Sequence, residues 1–313
     1  MFIRHILEHV NITQLEINLK INLESIVGSR QKQSIYYMIR QYKILYLYIY
    51  INNNTNMTRK TLKHKSLSKK NIPIVGYTIV NKYPHTLPAF TEGIEYHDGH
   101  MIESCLAFHR NDKSLIRKVN LNTGKIIKEV SLDKKYMAEG CTQLNGKIYQ
   151  LTWKNHLCFI YDLDLNKIGE FKYDGEGWGL TNDGTSLIMS NGSNIIQFID
   201  PKTCSVTRTI KVGNLKNLNG LSYINNVIYA NIWWTDKIVC IDPKNGNIIK
   251  YIDFSNIYPL AKGESVLNGI AYDRAKKRMF VTGKNWPTIF EVKINKKPLT
   301  NKTIRNKTRK HGF

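Results

Sequence analysis

Residues Phe198–Val212 read FIDPKTCSVTRTIKV, and Cys240–Phe254 read CIDPKNGNIIKYIDF. Each is a short apolar run, an Asp-Pro turn with Lys and Asn or Thr, and a second run of β-branched residues. Two more segments have the same layout: Lys118–Leu132 (KVNLNTGKIIKEVSL) and Ile160–Tyr173 (IYDLDLNKIGEFKY). Asn120, Asp162, Asp200 and Asp242 are equivalent, spaced 42, 38 and 42 residues apart. Asp and Asn favour such turns because their side chains accept hydrogen bonds from backbone N–H groups two residues on. A period near 40 with several strands per unit marks a β-propeller blade.

Working outward, further strand-like runs lie at Tyr77–Val80, Ile148–Thr152, Phe159–Asp162, Ile195–Ile199, Val227–Asn231, Ile238–Ile241, Met279–Thr282 and Ile289–Ile294. Gly, Asn and Asp punctuate them, and long helical periodicity is absent. The reading is an all-β, five-bladed β-propeller over residues 75–295. The last unit lacks the Asp-Pro turn, so Tyr77–Asn81 is expected to complete it and close the ring. Closure removes exposed strand edges.

The remainder of the 313 residues differs in composition. The chain has 46 Lys and Arg against 24 Asp and Glu, a formal charge of +22. Residues 1–70 hold a net +9 and residues 296–313 a net +7, which leaves only +6 for 71–295. The basic balance therefore belongs to the ends, and no specific nucleic-acid partner is expected for the central domain. Residues 1–74 read as a basic extension outside the fold, and 296–313 as a basic tail. Thr58–Lys70 (TRKTLKHKSLSKK) is a solvated arm, with nonspecific polyanion contact as the functional alternative. Ile35–Ile51 (IYYMIRQYKILYLYIYI) is the most apolar stretch. Arg40, Gln41 and Lys43 break it and no small-residue cleavage site follows, so a signal anchor fits poorly. Met57 is an alternative start.

With 42 % hydrophobic residues the chain can build a core. No run of about 18 apolar residues suggests a polytopic membrane protein. The five cysteines are odd in number and contain no C-x-x-C pair, which excludes a disulfide-dense scaffold and a zinc ribbon. No His-Glu-x-x-His, Gly-x-Ser-x-Gly or P-loop occurs. The histidines, His85 among them, are scattered through turns and tails.

Several segments do not look like strand filler. They are Phe90-Thr91-Glu92-Gly93, Ala138-Glu139-Gly140, Leu151-Thr152-Trp153, the GEGWGL run Gly175–Leu180, Ser190–Ser193, Leu218-Asn219-Gly220, Ala230–Trp233, Leu267–Ala271 and the TGKNWP run Thr282–Pro287. In order and spacing, from about Tyr77 to Ile294, this set resembles the plant and bacterial glutaminyl-peptide cyclotransferase family, five-bladed propeller enzymes. The resemblance implies metal-independent cyclisation of an N-terminal glutamine on a peptide or protein, without a cofactor, by a monomer that is secreted or membrane-anchored.

That chemistry has three needs: a deprotonated amine, a stabilised oxyanion and a protonated leaving nitrogen. By the resemblance, Glu139 is the proton shuttle, and Lys284 and Asn219 polarise the carboxamide. Phe90, Trp153, Trp178 and Trp233 wall the substrate slot, and Glu92 and Asn268 contribute to substrate binding. Without the resemblance, Lys284 would be a surface lysine, the Asn-Gly pairs plain turns and the tryptophans core. Trp234 and Trp286 are left as packing. The chain departs from the family at Glu92, where a glutamine is usual, at Gly220 and Ser222, where carboxylates are usual, and at Asn191, where an aspartate is usual. Two alternatives stand beside this reading. One is a catalytically inactive propeller that binds a partner through its channel face and basic tails. The other is a calcium site built from Glu92, Glu139 and Glu176.

Overall fold

The structure is a computed structural model that describes residues 72–106, 113–258 and 266–300. The Ile35–Ile51 anchor alternative, the Thr58–Lys70 basic run and most of the two basic extensions lie outside the described residues. Among the described residues there are twenty strands and no helix.

After β1 (Ile74–Pro84), the chain builds antiparallel meanders. The first is β2 (Thr91–His97), β3 (His100–Cys105), β4 (Leu115–Asn120) and β5 (Ile126–Ser131). The second is β6 (Ala138–Leu144), β7 (Lys147–Thr152), β8 (Leu157–Tyr161) and β9 (Lys167–Lys172). The third is β10 (Leu180–Asn182), β11 (Leu187–Ser190), β12 (Ile195–Ile199) and β13 (Val206–Lys211). An eight-stranded sheet holds the rest. Its first half is β14 (Leu218–Ile224), β15 (Val227–Ile232), β16 (Lys237–Ile241) and β17 (Ile248–Asp253). Its second half is β18 (Leu267–Asp273), β19 (Arg278–Gly283), β20 (Thr288–Pro298) and β1. A short parallel pairing of Ile74 and Val75 with Tyr251 and Ile252 joins the halves.

The turn chemistry read from the repeat is what links the third and fourth strands. Asn120 Oδ1 accepts from Asn122 and Thr123 N–H, Asp162 Oδ1 from Asp164 and Asn166, Asp200 Oδ1 from Lys202, and Asp242 Oδ1 from Lys244, all at 2.8–3.0 Å. The expected completion of the last unit also appears: β1 pairs antiparallel with β20, Tyr77 opposite Ile294.

Burial falls from the first to the fourth strand of each meander. β6 is buried at six of its seven positions, whereas β5 is exposed at five of six. The outer strands therefore carry the charges, as in Ile126–Ser131 (IIKEVS), and lysines on such edges discourage strand addition by other chains. The first strands β2, β6, β10, β14 and β18 pack each against the next, and β18 returns to β2. Hydrophobic clusters fill the spaces between consecutive sheets. Ile102 and Ile116 meet Ile148 and Phe159, Leu151 and Cys158 meet Leu187 and Met189, and Ile196 and Phe198 meet Ile228 and Val239. The last cluster packs Phe280 and Ile289 on Ile94 and Met101, so the core returns to the first sheet. The architecture is all-β and propeller-like.

One difference from the sequence reading locates the site. The segments set aside as unlike strand filler include the inner strands themselves: Thr91–His97, Ala138–Leu144, Leu218–Ile224 and Leu267–Asp273. They lack alternation because sheets crowd them from both sides. A Cβ on Gly140 would stand 2.6 Å from the Trp178 carbonyl oxygen, and one on Gly93 would stand 2.8 Å from Gly140 Cα. Only glycine lets neighbouring backbones approach so closely.

Candidate active site

Each of those inner strands breaks register at its X-Gly pair. The breaks fall between Thr91 and Gly93, Ala138 and Cys141, Leu218 and Leu221, and Leu267 and Ile270. A bulge leaves a residue out of the ladder and bends the strand, which re-aims its side chain. The residues so treated are Glu92, Glu139, Asn219 and Asn268. Trp178 takes the matching place before β10, and its N–H donates to Ser190 O at 2.9 Å.

Glu92, Lys284, Asn268 and Phe90 are in contact. Lys284 Nζ lies 2.6 Å from Glu92 Oε1, and both side chains are almost fully buried. Asn268 Nδ2 donates to Thr91 O (2.9 Å) and Glu92 Oε2 (3.2 Å). The Lys284 ammonium stands 4.4 Å from the centroid of the Phe90 ring. A buried ammonium needs a partner, and the carboxylate at 92 supplies it. Glu139 is buried nearby. Burial first, and then the Glu92 carboxylate, push its carboxyl well above the usual range, with Lys284 pulling the other way and Glu176 adding to the rise.

The tryptophans assemble at the same end of the inner strands. Trp153 and Trp178 both donate their indole N–H to Glu176 Oε2, at 2.8 and 3.1 Å. Trp178 meets Trp233 edge to face at 5.4 Å between centroids, and Trp233 lies 5.3 Å from Trp234. Trp234 is 46 % exposed, so its place is beside Trp233 at the surface and not in the core. Trp286 is packing as read, buried between Tyr258 and Phe290.

Asn219 is buried, and its backbone oxygen accepts from Ser190 Oγ at 2.8 Å. Asn219 Oδ1, Asn268 Oδ1 and Asn231 Nδ2 are buried with no hydrogen-bond partner among the described residues. Asn231 Oδ1 accepts from Gly269 N–H at 3.0 Å, which fixes that amide. A Cβ on Gly220 would stand 2.8 Å from Asn231 Oδ1 and 2.9 Å from Asn268 Oδ1. The departure at residue 220 is thus tied to the convergence of these two asparagines.

Sequence reasoning missed three features. Asn231 lay inside a quoted segment but had no neighbour in sequence to mark it. Glu176 was weighed only as a calcium ligand. Its Oε2 serves the indoles and Glu92 serves Lys284, and among the described residues no three His, Cys, Asp or Glu side chains are grouped to hold a metal ion. The third is a buried network behind Glu92. Glu103 accepts from His85 Nε2 (2.8 Å), Thr91 Oγ1 (2.7 Å) and Arg117 Nε (2.8 Å), and His85 Nδ1 lies 2.8 Å from Trp286 O. It braces the strand bearing Glu92 against the turn bearing Lys284. His85, placed by sequence among scattered histidines, is buried at its centre.

The site thus combines a buried carboxyl that burial keeps readily protonated, a lysine–carboxylate pair, amides with unmet hydrogen-bonding capacity and clustered indoles. A raised carboxyl close to a buried lysine–carboxylate pair suits proton transfer.

Comparison with known proteins gives the family. The profile of a family described as glutamine cyclotransferase matches residues 52–294. A glutaminyl-peptide cyclotransferase of Arabidopsis thaliana is 38 % identical over 227 residues, 69 % of this chain and 70 % of that protein. The crystal structure of Myxococcus xanthus glutaminyl cyclase superimposes with a TM-score of 0.67 at 31 % identity, covering 72 % of this chain and 98 % of that one.

Proposed function

Because this chain belongs to the glutamine cyclotransferase family, we propose that it converts the N-terminal glutamine of peptides or proteins to pyroglutamate with release of ammonia, without a metal. The framework is a five-bladed propeller over residues 75–295, the eight-stranded sheet counting as two blades. Residues 1–74 and 296–313 are basic extensions available for nonspecific polyanion contact, and the enzyme acts as a monomer.

The α-amine nitrogen attacks the side-chain carboxamide carbon. A C–N bond forms, and the C=O electron pair moves onto oxygen. Glu139 takes the proton shed by the attacking nitrogen and returns it to the amide nitrogen. The carbonyl re-forms, the old C–N bond breaks and ammonia leaves. An α-amine has a pKa of about 7.7–8.0. Raising Glu139 toward that value narrows the gap between the two groups, so the proton moves both ways with less free-energy change. Lys284 and Asn219 polarise the carboxamide oxygen. Asn219 is buried with its Oδ1 unpartnered, and a flip of its amide would present the Nδ2 donors that this role needs. Glu92 holds Lys284 in place and, with Asn268, faces the substrate amine. Phe90, Trp153, Trp178 and Trp233 wall the slot and hold the glutamine curled over its own amine, so that the reacting atoms meet without a search.

The observation that carries this reading is Glu139, buried at the bulge of β6 within electrostatic reach of Glu92 and Lys284. The test incubates the full chain with a short peptide beginning with Gln and follows ammonia and product mass, with and without a chelator. Turnover is expected to survive the chelator and to vanish in Glu139→Gln. Full activity in that variant would remove the shuttle, and loss in chelator alone would remove the metal-free mechanism.

A further inference from the structure

Glu176 carries no proton in the steps above, its part there being a minor addition to the rise of the Glu139 carboxyl, yet it makes a distinctive arrangement. One of its carboxylate oxygens, Oε2, receives the indole N–H of both Trp153 and Trp178. The two rings come from separate segments, the first following β7 and the second preceding β10. Their backbones are tied by the bond from Gly177 N–H to Trp153 O at 3.1 Å, but that bond leaves the side-chain torsions of both rings free. The shared oxygen fixes one ring relative to the other, because each N–H must aim along its ring plane at the same point.

The other contacts of the rings leave that constraint for Glu176 to supply. The benzo edge of Trp178 lies on Gly192, where a Cβ would come within 2.6–2.8 Å of the ring. Trp233 meets it edge to face. Lys154 Nζ sits 3.9 Å from the Trp153 ring centroid and 3.8 Å from Glu176 Oε1. These are dispersion and cation–π contacts, which allow a ring to slide, whereas charge-assisted hydrogen bonds are directional.

We propose that Glu176 is a positioning residue that sets the spacing and tilt of Trp153 and Trp178, and so the shape of the slot that receives the substrate glutamine. The inference rests on the reading of those tryptophans as slot walls. Glu176 acts as an acceptor, its charge being secondary, and its effect is on substrate binding more than on the chemical step.

Glu176→Gln keeps a side-chain oxygen that can accept both indoles. Glu176→Ala removes it. With the Gln-peptide, Glu176→Ala is expected to raise KM about tenfold, as fits the loss of one or two charge-assisted hydrogen bonds partly replaced by water, with kcat within about twofold. Glu176→Gln is expected to stay within about threefold of the parent in KM. Indole N–H resonances give a readout independent of activity. Two of them should move in Glu176→Ala, and thermal melts check that each variant is folded. Trp153→Ala and Trp178→Ala separate the two layers of the argument. If they raise KM and Glu176→Ala does not, the positioning role is wrong and the slot reading stands. If they leave KM unchanged, the slot reading falls and takes the positioning role with it. Equal KM increases in Glu176→Ala and Glu176→Gln would show that charge matters and refute the acceptor role.

Discussion

Glu103→Gln is the sharpest test of what holds the site together. The carboxylate is 1 % exposed and its guanidinium partner Arg117 is 2 % exposed, with Nη2 2.7 Å from Oε2. Burial alone would raise the Glu103 carboxyl. His85 and Arg117, with the hydrogen bonds from His85 and Thr91, outweigh it and hold the group well below the usual range. Glutamine keeps the shape but loses the charge. His85 can adapt, donating through Nδ1 to Trp286 O and accepting at Nε2. Arg117 cannot lose its proton, so a buried cation is left without a counterion. Removing one partner of a buried pair costs about 3–5 kcal/mol, and His85's adaptation places this variant near 3. That is a large part of a total stability of about 5–15 kcal/mol. At about 2–4 °C per kcal/mol for a domain of this size, Tm should fall by roughly 6–12 °C. Urea unfolding should show a lower midpoint with unchanged slope. Because the folded-state carboxyl is depressed, its contribution is present above the unfolded pKa of about 4.3 and fades as pH falls below it. The gap between parent and variant should therefore shrink in acid. A loss under about 1 kcal/mol at pH 7 would refute the reasoning, since it would mean that desolvation already offsets the ion pair.

Two further predictions concern the inner strands. Gly140→Ala meets backbone atoms of Trp178 and Gly179 that have nowhere to go, so it should cost about 3 kcal/mol or more. Gly220→Ala meets the side-chain oxygens of Asn231 and Asn268 at 2.8 and 2.9 Å, with no backbone atom as close, and should cost less; urea midpoints of the two variants decide the order. The folded-state carboxyl of Glu139 is raised, so its ionisation weakens the native state as pH rises above the unfolded pKa of about 4.3. Glu139→Gln should therefore gain in Tm over the parent between pH 5 and pH 8, whereas a difference that stays constant across that range would show ordinary titration.

Much of the fold was legible because its signals are local. Asp162, Asp200 and Asp242 announce their turns through their own side chains, and β-branched runs such as Ile195–Ile199 need no partner to be recognised. The closing pair of Tyr77 with Ile294 could be read because the final unit lacked a strand. The inner strands were harder. In Thr91–His97 and Ala138–Leu144 the glycine and bulge answer to a neighbouring sheet, and period-2 alternation disappears. The segments bearing Glu92, Glu139, Asn219 and Asn268 stood out as exceptions, and the family resemblance is what gave those residues roles. What sequence could not supply was pairing through space. Lys284 binds Glu92 across 192 residues. Glu103 gathers His85, Thr91 and Arg117 from three separate strands or loops, and no spacing rule marks such a set.

The closing strand pair has a consequence in time. Thr78 and Asn295 are hydrogen-bonded neighbours in the last sheet, yet 217 residues separate them. At a synthesis rate of roughly 5–20 residues per second, β1 leaves the ribosome some 10–40 s before β20 exists to receive it. During that interval β1, the outer strand of the sheet that presents Lys284, has no antiparallel partner, and its edge stays open to pairing with other chains. Maturation of the site is thereby tied to the synthesis of β20.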